Sequence, residues 1–183
     1  MDCRKALIET NADMEAAIDL LRAKGAASAA KKASRDAKEG VIAQAIGEGA
    51  KSGVLVEVNC ETDFVAKMPE FRDLAHEIAL QVASTAPLYV KKEDVPEGVI
   101  AEQVAKFKED AVKEGKKPEI AERIALGRMD KFYQDNCLLE QVFVKDDKLK
   151  INDLLKNAIA KIGENIVVRR FARYQLGETT QAE

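Results

Sequence analysis

The chain has 183 residues, 46% of them apolar and 33% charged, and its 29 Lys and Arg against 32 Asp and Glu leave a net charge of −3. A chain of this length buries about 70% of its unfolded surface, enough for a core without staples. No apolar run approaches the roughly 18 residues of a membrane span, and the acidic balance argues against affinity built mainly on neutralising phosphates.

Three cysteines, Cys3, Cys60 and Cys137, form no Cys-x-x-Cys pair, so neither a disulfide framework nor a zinc site is indicated. The start mixes Asp2, Arg4, Lys5, Glu9, Asp13 and Glu15 with apolar residues, unlike a secretory h-region or a transit peptide. Together these features point to the cytoplasm. One histidine (His76), no Trp, no glycine-rich phosphate loop and no His-x-x-x-His pair leave little for catalysis, metal binding or base stacking. The expectation is an interaction or regulatory protein with no catalytic residue, no cofactor and no metal.

Residues 1–24 read as two short helices, the second opening at Asn11 or Asp13 and carrying Met14, Ala17, Ile18 and Leu21 at helical spacing until Gly25 stops it. Two such helices expose more apolar surface than they cover, with Leu7, Ile18 and Leu21 expected in their small core, so an element upstream of Met1 is expected. Residues 25–40, GAASAAKKASRDAKEG, hold nothing large enough to anchor a core and read as a linker, partly helical.

After Gly40 the period falls to two. Val41 and Ile42 open one strand, Val54, Val56 and Val58 mark a second, and the stretch 47–53 turns between them. A helix over 69–84 follows, with Phe71, Leu74, Ala75, Ile78 and Val82 on a stripe facing the sheet. Two further helices are predicted: 97–114, with Ile100, Val104, Phe107 and Ala111 inward, and 118–135, with Ile120 and Ile124 inward. A strand over 141–145, an amphipathic helix over 152–162 and a long strand over 166–176 complete the set, before a tail at 178–183. Strict alternation in the last strand puts Val168, Arg170, Ala172 and Tyr174 on one face and Val167, Arg169, Phe171 and Arg173 on the other. The order implies an α+β fold: a helical module (1–24), a linker (25–40), and a core (41–177) of helices packed on an antiparallel sheet.

The most informative stretch is Asn59-Cys60-Glu61-Thr62-Asp63-Phe64-Val65, where a strand has ended and the next long helix has not begun. Thr62 or Asp63 can cap a turn, while Phe64 is a large aromatic in a connection. It either folds back as a hydrophobic staple onto Phe71 or the sheet, or projects as a wedge beside a carboxylate, suited to a partner's cation or phosphate crevice. Two other readings stand beside this one. The basic, aromatic strand 166–176 has the residue types of an RNA-binding surface, and Glu61, Asp63 and His76 could in principle perform acid/base work.

Five segments in order, MDCRKAL, NADMEAAIDLLRAKG, VEVNCETDFVAK, EIAERIALGRMDKF and INDLLKNAIAKIGENIVVRRFARYQLG, cover nearly the whole chain. In them the sequence resembles the short form of the elongation factor Ts family, with Thr62-Asp63-Phe64-Val65 matching its signature and Lys161-Ile162-Gly163-Glu164-Asn165-Ile166 a second, independent match. The resemblance implies a ubiquitin-associated-like helical module, a linker and a sheet-and-helix core. It implies a guanine-nucleotide exchange factor for GDP-bound elongation factor Tu, with no covalent chemistry. Asp63 and Phe64 would enter the partner's G domain and disturb its Mg²⁺ and phosphate site, with Thr62 and Val65 in the same contact and a secondary contact at Met1, Asp2 and Cys3. It further implies a homodimer, with neither nucleic acid nor membrane as a direct partner. The family's first helix and a glycine-containing loop, expected upstream of Met1, are not part of this sequence.

Overall fold

The strand β2 (Ser52–Cys60) organises the molecule: it pairs antiparallel with β1 (Glu39–Ile46) on one side and with β5 (Val167–Gln175) on the other. Val54, Val56 and Val58 are buried on one face of this three-stranded sheet, as their alternation requires. The computed structural model describes residues 2–178, and Met1 and all of the expected tail except Glu178 lie outside them.

Against the valine face packs α4 (Pro69–Thr85), which opens with Pro at a first-turn position where its missing N–H costs no hydrogen bond. The predicted stripe is the observed one: Phe71, Leu74, Ala75, Ile78 and Val82 are all buried. The core is completed by α7 (Ile151–Ile162), through Ile151, Leu155 and Ile159, and by Leu138. The strand expected over 141–145 is observed as β3 (Val142–Phe143), which pairs with an unforeseen β4 (Asp146–Lys150) in a small hairpin held by the buried Gln81 of α4. The Gln81 amide donates to Val142 O (3.0 Å) and accepts from the Val144 N–H (2.9 Å), so both ends of a buried polar group are satisfied.

Four expectations are corrected. The helix α2 (Met14–Lys32) does not stop at Gly25 but runs through it to Lys32. The reason is packing. α2 lies along α7, and a Cβ at Gly25 would stand only 3.4 Å from the Ala160 Cβ, so tertiary contact overrides the roughly 1 kcal/mol that glycine costs a helix. Asp13, one of the two expected caps, accepts from the Ala16 N–H at 3.0 Å, whereas Asn11 and Ala12 turn the chain at positive φ. Within the module formed by α1 (Asp2–Glu9) and α2, Ala6 and Ala17 are buried while Met14 and Ile18 are exposed and Leu7 and Leu21 are half-buried.

The helices α5 (Glu97–Lys113) and α6 (Pro118–Asn136) pack chiefly on each other as an antiparallel hairpin rather than on the sheet. On α6 the inward seam is Ala121, Ala125 and Met129, and Ile120 is exposed. Small residues at i, i+4 spacing let the two backbones approach closely, which the bulkier Ile120 would prevent. On α5 only Ala111 of the expected inward residues is fully buried.

In β5 the alternation breaks at a bulge. Glu57 stands opposite Arg170, yet Val58 stands opposite Val168, so Arg169 is an extra residue without a partner. From there on the parity is inverted: Phe171 opposes Val56 and Arg173 opposes Val54, both on the core face with Val168, while Arg170, Ala172 and Tyr174 share the open face.

Candidate partner-binding site

Between the end of β2 and α4 lies α3 (Asp63–Ala66), a single turn. Thr62 is its N-cap, with extended backbone and a hydroxyl that accepts the Val65 N–H at 3.4 Å. Val65 and Ala66 are buried and join the core beneath. Phe64, one residue earlier on the turn, points the other way and is 74% exposed. The staple alternative is thereby excluded, since no core residue covers the ring. Of the four residues in the signature stretch, then, Asp63 and Phe64 project, Thr62 caps, and Val65 anchors.

The Asp63 carboxylate is exposed and accepts from Lys67 Nζ at 2.6 Å, one turn on. The hydrogen bond from Lys67, reinforced by its charge, holds the Asp63 carboxyl below its ordinary value, so the group is anionic at neutral pH. Burial pushes the neighbouring Cys60 thiol up to about 11, with the Glu164 charge adding to the effect.

The loop that carries this turn is braced from across the fold. α7 ends at Gly163, whose φ of +93° is a left-handed conformation that glycine adopts without strain. The next residue, Glu164, reaches the β2–α3 connection: its Oε2 accepts the Glu61 and Thr62 N–H groups, each at 3.1 Å, and its Oε1 accepts the Thr62 hydroxyl at 2.7 Å. Glu61 returns the contact, its Oε1 accepting the Asn165 N–H at 2.6 Å. Arg35, just past α2, joins the same node, 3.5 Å from Glu61 Oε1 and with its carbonyl accepting from Asn165 Nδ2 at 2.9 Å. Glu164 and Asn165 lie in the second of the matching segments, yet nothing in the sequence points to their contact with Glu61, Thr62 and Arg35. A contact between residues about a hundred positions apart leaves no local periodicity to read.

The alternative sites are not assembled. Glu61 is committed to the brace, Asp63 to Lys67, and His76 is exposed on α4. Among the described residues no group of three or more His, Cys, Asp or Glu is placed to hold a metal ion. On β5, Phe171 and Tyr174 lie on opposite faces, while Arg170 pairs with Glu57 (2.8 Å) and Arg173 with Glu178 (2.7 Å), so no continuous cationic and aromatic platform forms. Cys3 is exposed on α1, Asp2 begins that helix, and Met1 lies outside the described residues. Among the described residues no helix is long and apolar enough to cross a membrane.

The family model of elongation factor TS matches residues 25–178. The chain is 55% identical over 178 residues to elongation factor Ts of Moorella thermoacetica, covering 97% of this chain and 88% of that one. It is 53% identical to the protein of that name from Caldanaerobacter subterraneus subsp. tengcongensis, covering 97% and 89% of the two chains. With the Syntrophomonas wolfei protein the identity is 51% over 183 residues, covering all of this chain and 86% of its relative.

Proposed function

The chain belongs to the elongation factor Ts family of translation elongation factors, and from that premise we propose that it is a guanine-nucleotide exchange factor. It binds GDP-bound elongation factor Tu and promotes GDP release. The observation that carries this reading is the placement of Asp63 and Phe64, an anion and an uncovered ring at the tip of a turn anchored by Val65. Free, a ring 74% exposed contributes little to its own core, so its burial is available to an interface. A nucleotide held largely through Mg²⁺ and phosphate loses affinity when an apolar wedge and a carboxylate displace the groups that hold them.

By linkage, whatever factor the chain takes from GDP affinity, GDP takes from the affinity of the chain for elongation factor Tu. The chain is therefore released when nucleotide rebinds, and it acts repeatedly with no covalent step. Ile8, Met14 and Ile18, uncovered on the helical module that also carries Cys3, supply apolar area for a second contact.

The functional unit is a homodimer. α4 covers one face of the three-stranded sheet, and the other exposes Ile42, Ile46, Leu55 and Tyr174 together. An open apolar sheet face of this kind is best covered by a second copy of itself. Release of fluorescent GDP from purified elongation factor Tu, with and without the chain, tests the exchange function. Unchanged release at saturating chain would overturn it.

A further inference from the structure

We propose that Glu164 is a positioning residue of the exchange loop, holding Asp63 and Phe64 in the presented orientation before a partner arrives. The proposal rests on the exchange-factor reading above. It begins with an imbalance at α3: a single helical turn of four residues is far too short to be stable by its own hydrogen bonds, because nucleation costs more than one turn returns. Something outside the turn must fix it. Val65 and Ala66 fix its underside, but burial of those two side chains does not by itself set the backbone at the entry into the turn, Glu61 and Thr62.

Glu164 sets that backbone. One carboxylate accepts two consecutive backbone N–H groups on Oε2 and the cap hydroxyl on Oε1, three bonds to an ionised acceptor, the stronger class of hydrogen bond. The third of these sets the direction of the cap. With the Thr62 hydroxyl proton given to Glu164 at 2.7 Å, its oxygen lone pairs are left to accept the Val65 N–H. The orientation of α3 therefore descends from Glu164 through Thr62. Glu164 itself is fixed from behind by the left-handed Gly163 and by the Asn165 N–H bond to Glu61. The two segments that match the family signatures are thus one device, the first presenting Asp63 and Phe64 and the second aiming them. A loop ordered in advance does not spend binding free energy on ordering itself in the complex.

The test is exchange on elongation factor Tu with fluorescent GDP, using Glu164→Ala, Glu164→Gln, Phe64→Ala and the double variant Glu164→Ala/Phe64→Ala, alongside thermal melts of each. Glu164→Ala is expected to lower exchange efficiency about tenfold, seen chiefly as a higher half-saturating concentration. Glu164→Gln, which keeps a carbonyl oxygen to accept the two N–H groups, should recover most of that loss. In the Phe64→Ala background, Glu164→Ala should cost exchange clearly less than it does in the wild type while its effect on melting remains, because only Asp63 is left to position. Full wild-type exchange by Glu164→Ala, or a full additional loss in the double variant, overturns the role of Glu164 and leaves the exchange function standing. Failure of the wild-type chain to release GDP overturns both. If Glu164→Ala melts too low to assay, the Glu164→Gln and Thr62→Val variants decide: the role requires that Thr62→Val weaken exchange more than Glu164→Gln does, and the reverse order overturns it.

Discussion

Lys67 reaches back one helical turn to hold Asp63, Nζ to Oδ2 2.6 Å, so the carboxylate beside the exposed Phe64 ring is fixed in place and held anionic. The hydrogen bond and the Lys67 charge lower the Asp63 pKa from its ordinary 3.8. A lowered folded value means that the contribution of the pair is present above the unfolded pKa and is lost as the pH falls through the folded one. Carboxyl NMR titration should therefore find Asp63 titrating below 3.8 in the wild type and nearer to it in Lys67→Ala. An unchanged midpoint in the variant would refute the coupling. Because Asp63 is already ionised, its part in exchange should be flat from about pH 6 to 8.

Phe64 and Phe71 lie seven positions apart and should respond oppositely to truncation. Phe71 is fully buried against the sheet, and Phe71→Ala should cost about 3 to 5 kcal/mol of stability. Phe64→Ala removes an exposed ring and should change stability by no more than about 0.5 kcal/mol, while exchange on elongation factor Tu falls severely. Denaturant melts paired with GDP release check both statements. A large loss of stability in Phe64→Ala with exchange per folded molecule intact would show that the ring is structural.

The proposed dimer places its own demand on the open sheet face. Leu55 opposes Ala172, and Tyr174 opposes Gly53, on the side away from α4. Leu55→Glu puts a charge at the centre of that face, with no effect expected on the valine core behind it. Sedimentation across a wide concentration range should show the wild type as a dimer and the variant as a monomer that melts at lower temperature. A wild type that remains monomeric throughout would remove the dimer without touching Asp63 and Phe64.

Much of this fold was legible because periodicity and burial agree locally. The stripe from Phe71 to Val82 and the alternation of Val54, Val56 and Val58 each report one face of one element, and the structure buries them as read. What the sequence could not show was decided by contacts across the chain. Gly25 looks like a stop until α7 lies beside it, and Arg169 looks like one step in a regular strand until β2 fixes the register on both sides of it. The functional turn divides the same way. Phe64 stands out as an aromatic in a connection, whereas Glu164, though it lies in the second matching segment, shows its role only when Glu61 and Thr62 are seen bonded to it.

The cysteines supply a final prediction, with a definite sign. Cys3 is exposed, and Cys60 and Cys137 are fully buried, so thiol-specific labelling of the folded protein should modify Cys3 and spare the other two until it unfolds. Burial, aided by Glu164 at Cys60 and by Glu140 at Cys137, pushes both buried thiols up to about 11. A thiol raised in the fold stays protonated where the unfolded chain has already lost its proton. The stability it contributes is complete below the unfolded value, near 9.0, and drains away as the pH climbs through the folded one. Between these limits each thiol should reduce stability by about 1.4 kcal/mol per pH unit. Lysine and tyrosine side chains also titrate in this range, so the wild-type slope alone is not diagnostic. The comparison is with Cys60→Ala/Cys137→Ala, which lacks both thiols: its stability at pH 8 should be lower because two small cavities are opened, but it should fall less steeply toward pH 11. Parallel slopes in urea melts of the two proteins would mean that the buried thiols do not titrate with folding.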